Sequence, residues 1–565
     1  MTCHSGLLQK PFITKHTERR HDGHKGNTLR ELCVFSLRSL WLNLLSVLLV
    51  APRLNIRLFP RWQNALLALL GAGLLILAFP DFEWWWTAWF ALVPLMWAVE
   101  REGKAMPAFM LGWLFGTAYF FGTCWWLTYA PIHYAGVPVW LAYLLIIVAC
   151  ILTGLFPALF CAILSRLLQR FGSWAFLAAP FVWVFTEFAR YWLTGNDWNA
   201  IGYSQAPVFL LRLLASTGGV LLVSFGCLLV NTGIALAFRR RTLVIAALCL
   251  LVMPTLVALR FVDDFWPSSD SSSGGRSITA KVLAVQPNVP ADVSAQMRTV
   301  LQEKQFDIGS LGIKQLREGE YDPPLTVILP ESPMNFAYND DVPFQHFIAD
   351  YTRRNYTSVL FNSAEPDRET GKYFNSAVMV GPDGKKVAEY DKIYLLPFGE
   401  AVPFPFEGLM PAVVGSFAYG KNYSLVPVGD AKAGVMICFE SHFGSLSREY
   451  VRQGADVIIE MTNDGYLGPT PVLRQHLANA VFRAVETNRP VLRVTNVGIT
   501  AYITETGRIL DAAPTYQEAT RVWSVSKSDG SQTFYVKYGD WFAWLCTIVT
   551  IALVVLTFRR KASSS

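Results

Sequence analysis

Charged residues are scarce in this sequence. They make up 16% of its 565 positions, whereas hydrophobic residues make up 53% and aromatic residues 14%. An average soluble protein has about 25% charged residues, so this composition excludes an ordinary soluble protein. The net charge is only +6, and much of it lies in short loops beside apolar segments. That distribution is typical of a membrane protein and indicates no binding to nucleic acid.

Patterns for disulfides, metals and phosphates are also missing. The histidines near the amino terminus are irregularly spaced, and there is no glycine-rich phosphate loop and no internal repeat. We therefore predict neither a metal site nor a cofactor. Most of the nine cysteines fall in apolar segments, which indicates no disulfide framework. Those cysteines are Cys124, Cys150, Cys161, Cys227, Cys249 and Cys546.

Residues 1–60 differ from the rest of the chain. A polar, basic tail is followed by an apolar segment at 40–51, which is shorter than the roughly 20 residues that cross a bilayer. Pro52 and Arg53 make a poor signal-peptide cleavage site. We interpret this part as a tail that is either interfacial or not translated.

Longer apolar segments predict eight membrane spans. Seven of them form a bundle within residues 61–262, and the eighth lies at 538–558. Between them lie a Pro/Ser/Gly-rich linker at 263–277 and a globular domain at 278–528. The first seven spans are predicted at about 63–80, 84–100, 107–128, 138–164, 174–194, 219–238 and 242–260.

Basic residues concentrate in alternate loops, and this pattern predicts the orientation. The loops before the first span and after the second, fourth, sixth and eighth spans carry Arg and Lys, so they are expected in the cytoplasm. The globular domain would then face outward and the carboxyl terminus inward. The residues are Arg53, Arg57, Arg61, Arg101, Lys104, Arg166, Arg170, Arg239, Arg240, Arg241, Arg559, Arg560 and Lys561.

Some residues in or near the spans are not typical of lipid-facing positions. Glu187 and Arg190 are one helical turn apart, which predicts an internal salt bridge or a polar cavity. The polar, aromatic stretch 198–205 follows on the outer side. It predicts either the rim of a lateral opening for lipid or an interfacial aromatic belt. The candidate residues facing substrate or lipid are Trp198, Tyr203, Gln205 and Phe398.

Strands and helices alternate in the globular domain, which predicts a layered α/β fold. The predicted strands lie at 281–285, 326–329, 358–361, 434–437, 456–459 and 491–494, and the helices near 292–316, 342–353, 443–453 and 472–488.

Three strand-to-loop junctions in this domain carry reactive groups. Glu331 follows Thr-Val-Ile-Leu-Pro, Lys392 lies in Tyr-Asp-Lys-Ile-Tyr-Leu-Leu-Pro-Phe-Gly-Glu400, and Cys438 lies in Ile-Cys-Phe-Glu440. Taken alone, Cys438 fits a buried structural cysteine better than a nucleophile. Together the three fit acyl transfer through a thiol.

The chemistry assigns each group a role. A thiol attacks as the thiolate, so Glu331 would act as the base and Lys392 would stabilise the anions. The Phe439 N–H would help to form an oxyanion hole, and Glu400 and Glu440 would hold the lysine and a substrate amine. A papain-like pairing of the thiol with His442 or His476 is an alternative.

These motifs resemble the Glu–Lys–Cys triad of the nitrilase, or carbon–nitrogen hydrolase, superfamily, whose domains are αββα sandwiches. Asn375 and the pair Asn463-Asp464 are similar to supporting positions of that family. From about residue 60, the chain with its spans resembles the apolipoprotein N-acyltransferases. The fold class implied is therefore a polytopic α-helical membrane domain plus an α/β nitrilase-like αββα sandwich domain.

The resemblance implies a two-step reaction at the bacterial inner membrane. Cys438 would take an acyl chain from a phospholipid as a thioester, and the diacylglyceryl-cysteine of a lipoprotein would then be acylated on its amino group.

The sequence departs from the family pattern at Phe439, where tyrosine is common, and in the loop 288–295, which has no tryptophan. The apolar loop 409–417 is interpreted as a lid. A membrane-tethered amidohydrolase acting on a small amide is the alternative, and a transporter with a degenerate domain is a further one.

Overall fold

The computed structural model describes residues 58–208, 212, 214–238, 243, 247, 248, 251, 278–290, 295–317, 324–331, 337–402 and 416–558. Several predictions concern parts of the chain outside these residues. They are the tail through residue 57, the linker, most of the span at 242–260 and most of the apolar loop 409–417.

Apolar helices build the first part of the chain, as predicted. Within the described residues, the helical stretches long and apolar enough to cross a membrane are Ala105–His133, Val139–Thr194, Ala215–Ala237 and Trp541–Phe558. The helices of this part are α1 (Trp62–Leu77), α2 (Val93–Glu102), α3 (Ala105–Cys124), α4 (Val139–Thr153), α5 (Leu155–Phe171), α6 (Ala179–Thr194) and α7 (Ala215–Ala237).

Three predicted spans differ from the helices of the structure, and one of them, at 174–194, begins in the 3₁₀ turn Gly172–Ala178 before α6. The span at 84–100 begins as a 3₁₀ turn, Trp85–Trp89, and continues as α2. The span at 138–164 is divided at Gly154 into α4 and α5. A Cβ atom at Gly154 would lie 2.8 Å from Thr117 Oγ1, so the glycine allows α3 to approach closely. Pro157 in the first turn of α5 has no N–H group to continue the ladder of α4.

Helix α7 is kinked near its amino terminus. Gly218 and Gly219 depart from helical geometry there, and Gly219 has φ 70°, which favours glycine. The Glu486 carboxylate, from the second part of the chain, accepts a hydrogen bond from the freed N–H of Val220 at 3.0 Å. The kink is therefore one point where the membrane helices contact the globular domain.

Two six-stranded sheets form the second part of the chain. Their strand orders are β12-β1-β2-β3-β4-β5 and β11-β10-β9-β8-β7-β6. The strands are β1 (Ile278–Gln286), β2 (Leu325–Ile328), β3 (Ser358–Pro366), β4 (Tyr373–Val380), β5 (Lys386–Asp391), β6 (Leu425–Val428), β7 (Ala431–Ile437), β8 (Val457–Thr462), β9 (Val491–Thr495), β10 (Ala501–Ile503), β11 (Ile509–Leu510) and β12 (Ala519–Ser526). The helices of this part are α8 (Ala295–Arg317), α9 (Val342–Asn355), α10 (Gly444–Arg452) and α11 (Val472–Thr487). The apolar helix α12 (Trp541–Phe558) follows the sandwich.

Side chains alternate between two buried surfaces along the strands. In β1, Val282 belongs to a core shared with Val435 of the second sheet, whereas Leu283 points the other way and packs with Phe306 of α8. Helix α11 packs against the second sheet and adds Val481 to its buried core. The order helix, sheet, sheet, helix confirms the predicted αββα sandwich.

The first and last strands of the domain are neighbours. β1 and β12 pair antiparallel over almost their whole length, with Ile278 opposite Ser526. β1, β2 and β3 are parallel, as are β7, β8 and β9. The carboxyl ends of each parallel set therefore lie together at one edge of its sheet.

Candidate active site

The three predicted catalytic residues meet at the strand ends. Glu331 follows β2, Lys392 follows β5, and Cys438 follows β7 of the other sheet. Lys392 Nζ lies 3.7 Å from Glu331 Oε1. A hydrogen bond from the Cys438 thiol is among the influences that lower the pKa of Glu331, which places this thiol beside the carboxylate. Residues far apart in the sequence thus form one cluster.

Glu400 holds the lysine directly. Lys392 Nζ donates to Glu400 Oε1 at 2.9 Å, and the other carboxylate oxygen accepts from Leu396 N at 2.7 Å. The lysine side chain is 1% exposed. Burial alone would lower the pKa of Lys392, but the carboxylates of Glu400 and Glu331 outweigh it and raise that pKa. The lysine is therefore a permanent cation in the site.

Asn375 connects the two carboxylates. Its Nδ2 donates to Glu331 Oε1 at 3.0 Å and to Glu400 Oε1 at 2.7 Å. Its own Oδ1 accepts from Asn362 Nδ2 at 2.7 Å, and its main-chain oxygen accepts from Lys392 N at 2.8 Å. The second oxygen of Glu331 accepts from Asn463 N at 3.1 Å. Asn375 thus fixes both acidic groups relative to the lysine.

Cys438 has unusual backbone geometry. Its φ is 52°, a region that non-glycine residues rarely adopt and that is often found at functional sites. The strand before it is fixed by Tyr450, which packs on Gly434 and donates to Val435 O at 2.6 Å. A Cβ atom at Gly434 would lie 2.4 Å from the Tyr450 ring. Packing therefore holds the thiol at the strand end.

A buried charged cluster supports the carbonyl group of Cys438. His476 Nε2 lies 3.0 Å from this carbonyl oxygen, and His476 Nδ1 lies 2.8 Å from Asp464 Oδ1. Arg493 bridges Asp464 and Glu460 at 2.8 and 2.5 Å. Burial would raise the pKa of Asp464, but Arg493 and His476 outweigh it and lower that pKa. Because a main-chain carbonyl oxygen can only accept a hydrogen bond, His476 Nε2 is the donor toward Cys438.

The electrostatic environment raises the pKa values of both Glu331 and Cys438. Burial raises the pKa of Glu331, and Glu400 adds to this effect, whereas Lys392 and Asn375 oppose it. Burial and the Glu331 charge hold the pKa of Cys438 well above its ordinary value, with Lys392 opposing them. At neutral pH the resting cysteine is therefore a thiol, and it needs a base to attack.

Glu440 has a different position from the one expected. It is fully buried, and its Oε1 accepts from Tyr390 OH, Ile393 N and Tyr394 N at 2.7, 2.7 and 3.0 Å. Its Oε2 accepts from Ile437 N at 2.9 Å. Burial raises its pKa to about 7 against these donors. Glu440 thus ties the lysine loop to the nucleophile strand, and no contact with a substrate amine fits this position.

Two of the predicted lipid-facing residues are buried, so those predictions are wrong. Gln205 is fully buried; its Nε2 donates to Trp85 O at 3.0 Å and its Oε1 accepts from Trp89 Nε1 at 2.9 Å. Tyr203 is 4% exposed, and its ring packs edge-on against Phe482. These polar groups satisfy backbone and side-chain partners inside the bundle, where an unpaired group would be costly.

Trp198 lies beside the nucleophile. Its ring is parallel to that of Phe439 at 6.4 Å, and its Nε1 donates to Gln475 Oε1 at 2.9 Å. Phe398 is 48% exposed in the loop between Lys392 and Glu400. A role of Trp198 and Phe398 toward lipid stays a prediction.

Glu187 and Arg190 also differ from expectation. In the described part of the chain no salt bridge joins them. Glu187 Oε1 accepts from Ile201 N at 2.8 Å, while Arg190 donates to Trp198 O at 2.8 Å and lies over the Phe120 ring. Both charges thus hold the loop that carries Trp198.

Neither candidate histidine forms a papain-like pair among the described contacts. His442 Nε2 lies 2.7 Å from Asp197 Oδ1, and His476 contacts the main chain of Cys438 rather than its sulfur. The supporting roles of His476 and Gln475 were not predicted. Both residues lie in an ordinary amphipathic helical pattern, and no local sequence signal distinguishes them.

Comparison with known proteins completes the assignment. Residues 71–233 match the apolipoprotein N-acyltransferase N-terminal domain, and residues 323–533 match the carbon–nitrogen hydrolase domain. The chain is 31% identical over 516 residues to an apolipoprotein N-acyltransferase of Geobacter metallireducens, covering 88% of this chain and 96% of the relative. It is 30% identical over 508 residues to that of Pasteurella multocida, covering 86% and 92%.

A solved structure of an amidase mutant from Nesterenkonia sp. AN1 also matches, at 13% identity and a TM-score of 0.33, over 47% of this chain and 98% of that one. The two full-length relatives are similar to this chain over nearly their whole length. The chain therefore belongs to the apolipoprotein N-acyltransferase family.

Proposed function

We propose that the chain N-acylates the N-terminal diacylglyceryl-cysteine of lipoproteins, with a phospholipid as the acyl donor. The observation that carries this proposal is the meeting of Glu331, Lys392 and Cys438 at adjoining strand ends. A thiol, a carboxylate of raised pKa and a buried cation are the groups required for acyl transfer through a thioester. The names of the full-length relatives support the choice of substrates.

In the first step, the Cys438 sulfur attacks the ester carbonyl carbon of the phospholipid while Glu331 accepts the thiol proton. A carbon–sulfur bond forms and the carbonyl oxygen becomes an oxyanion. When the intermediate collapses, the ester carbon–oxygen bond breaks, and Glu331 returns the proton to the leaving glycerol oxygen. The products are a thioester on Cys438 and a lysophospholipid. A base with a raised pKa suits this proton transfer near neutral pH.

In the second step, the neutral amino group of the diacylglyceryl-cysteine attacks the thioester carbonyl. Glu331 accepts the proton that the nitrogen loses, the carbon–sulfur bond breaks, and the proton passes to the sulfur. An amide is formed and the thiol is regenerated. Each half of this ping-pong cycle thus uses the same base and the same nucleophile.

Two groups would stabilise the oxyanion. Lys392 Nζ is bonded to Glu400 and lies beyond hydrogen-bonding distance of Glu331, so one of its protons can turn to the substrate oxygen. The Phe439 N–H lies at the start of the 3₁₀ turn Cys438–His442, where the first N–H groups have no partner within the turn. Removal of one oxyanion donor costs about 100- to 1,000-fold in rate in other enzymes.

We also propose the domain boundaries and the orientation. The seven-span bundle would occupy residues 61–262, the linker 263–277, the catalytic domain 278–528 and the last span 538–558. Basic loops would place the catalytic domain outside the cytoplasm of a bacterial inner membrane and the carboxyl terminus inside. A green fluorescent protein fused to the carboxyl terminus should then fluoresce, and alkaline phosphatase fused at the same place should be inactive. The reverse result would contradict the orientation.

Mass spectrometry tests the reaction. Purified protein incubated with phosphatidylethanolamine in detergent micelles should gain the mass of one acyl chain on the peptide that contains Cys438. A diacylglyceryl-cysteine peptide added afterwards should remove that mass and become N-acylated. Cys438→Ala protein is the control and should gain nothing. A folded wild-type protein that gains no acyl mass but hydrolyses a small amide would overturn the proposal in favour of an amidohydrolase.

A further inference from the structure

Gln475 of α11 is a buried side chain that the steps above do not use. It is 3% exposed. Its Oε1 accepts from two indole groups, Trp198 Nε1 at 2.9 Å and Trp126 Nε1 at 3.2 Å. Its Nε2 donates to Thr123 O at 3.0 Å. One amide of the catalytic domain thus fixes two tryptophans of the membrane region.

Trp126 lies at the end of a membrane helix. It belongs to the 3₁₀ turn Trp125–Thr128 that follows α3, within a stretch apolar enough to span the bilayer. Trp125 and Leu127 on either side of it are 37% and 42% exposed, whereas Trp126 is 5% exposed. The neighbours therefore face outward where a span would reach the bilayer surface, and Trp126 turns inward.

Trp198 connects this turn to the nucleophile. Its ring lies 5.8 Å from that of Trp126 and stacks on Phe439, the residue after Cys438. Trp126, Trp198 and Phe439 form a continuous row of aromatic rings from the end of α3 to the residue next to Cys438. We define these three residues as the aromatic path.

We propose that Gln475 is a specificity-determining positioning residue, which holds the two indole rings of the aromatic path in place where the donor's acyl chain lies on its way to Cys438. This inference rests on the proposed phospholipid donor. It deepens that proposal by assigning the choice of acyl chain to hydrogen bonds of a residue that touches neither the thiol nor its base. Trp198 Nε1 donates to Gln475 at 2.9 Å, whereas the single N–H of Trp126 is shared between Gln475 at 3.2 Å and Thr123 O at 2.9 Å. Gln475 therefore anchors the Trp198 ring to α11 and contributes part of the anchoring of Trp126.

The neighbouring residue has a separate role. His476 contacts the carbonyl oxygen of Cys438, so it acts on the nucleophile rather than on the aromatic path. Substitutions at Gln475 and His476 should therefore have different effects. Loss of Gln475 should change which donors react, and loss of His476 should slow all donors alike.

The test measures thioester formation on Cys438 with phosphatidylethanolamines of eight, twelve and sixteen carbons per chain in the same detergent micelles. Gln475→Met keeps the length and volume of the side chain but removes the acceptor. The ratio of the sixteen-carbon to the eight-carbon rate should fall about tenfold, the size expected for the loss of the hydrogen bond to Trp198 together with the shared one to Trp126. The rate at which iodoacetamide alkylates Cys438 should stay within about twofold of wild type, because hydrogen bonds to the rings do not touch the sulfur.

Matched variants make the result decisive. Asn479→Ala, one turn along α11, removes another buried amide whose Nδ2 has no hydrogen-bond partner among the residues that the structure describes, and it should leave the chain-length ratio unchanged. His476→Asn should lower all rates and leave the ratio unchanged. Trp198→Phe removes one of the same hydrogen bonds from the other side, so its effect and that of Gln475→Met should be less than additive. It also tests the bond if the Gln475 variant does not fold.

An unchanged ratio in Gln475→Met and Trp198→Phe, or an equal loss for all chain lengths, would overturn this inference. If wild-type protein forms no thioester with any chain length, the proposed function itself fails. The two failures are therefore distinct.

Discussion

Lys392 Nζ lies 3.7 Å from Oε1 of Glu331, within ion-pair distance but beyond the length of an N–H···O hydrogen bond. The ammonium group is bonded instead to Glu400 at 2.9 Å. This separation lets the two groups act independently. The carboxylate can exchange a proton with sulfur while the cation stabilises a developing negative charge.

Removal of either group should abolish acyl transfer. Glu331→Gln removes the base and Lys392→Met removes the cation, and each should lower the rate of thioester formation at least about a thousandfold. The measurement is the acylated fraction of Cys438 by mass spectrometry over time. Lys386→Met, at the exposed beginning of the same strand β5, is the control and should keep its activity. A Lys392→Met protein that acylates at the rate of this control would contradict the triad.

Asn375 should set the pH dependence of the reaction. Its hydrogen bond lowers the pKa of Glu331 by stabilising the ionised form. Asn375→Leu removes this donor, so the pKa of Glu331 should rise and the acidic limb of the pH–rate profile should move to higher pH. The profile of single-turnover acylation measures this shift. A lower rate with an unmoved acidic limb would mean that Asn375 only positions the carboxylates.

Glu486 should make the protein less stable as the pH rises through the neutral range. Burial raises its pKa from 4.5 to about 7, although Arg483 opposes this. The folded state therefore binds a proton on Glu486 more tightly than the unfolded state does. The stability that this proton contributes is fully present below about pH 4.5, and it is lost as the pH rises to about 7. The change in the free energy of unfolding for this residue is about 3 kcal/mol.

Thermal unfolding in detergent between pH 5 and pH 8 measures this effect. Glu486→Gln is uncharged at every pH, so the difference in unfolding temperature between wild type and variant should itself change across this interval. A constant difference would show that Glu486 does not titrate there.

Gly434→Ala should destabilise the catalytic domain. The added Cβ atom would meet the Tyr450 ring at 2.4 Å, beneath the nucleophile strand. Overpacking of this kind costs about 1–3 kcal/mol, so the unfolding temperature should fall and Cys438 should be displaced. Gly73→Ala in α1 is the matched control, because nothing lies within 4 Å of its added Cβ atom. Equal unfolding temperatures for the two variants would contradict the packing argument.

The positions of Glu331 and Cys438 could be predicted from the sequence because each follows a short apolar run that ends in a loop. Lys392 follows the polar strand β5 and was predicted from the motif around it. Glu331 and Cys438 end strands of parallel sets, and such strand ends meet at one edge of a sheet. The parallel strands in the middle of each sheet were predicted for the same reason. Those at the antiparallel ends, such as β5 and β12, were not, because their partly exposed faces carry polar residues that weaken the apolar pattern.

The structure corrects predictions that depended on the polarity of single residues. Gln205 was expected to face lipid or substrate, yet it forms hydrogen bonds with Trp85 and Trp89 inside the bundle. Glu440 was expected near the substrate, yet it links the loop after Lys392 to the end of strand β7. A sequence shows that a polar group is present, but only tertiary contacts show which donors and acceptors it satisfies. Gln475 and His476 were missed for the same reason.

The pairing of β1 with β12 constrains the order of assembly. Because Ile278 lies opposite Ser526, the outer edge of β1 is covered only after β12, the last strand of the sandwich, has been made. During synthesis, an open strand edge would persist until almost the entire domain had left the ribosome. Truncation shortly before Ala519 should therefore yield an aggregation-prone chain, even though every catalytic side chain would already have been made.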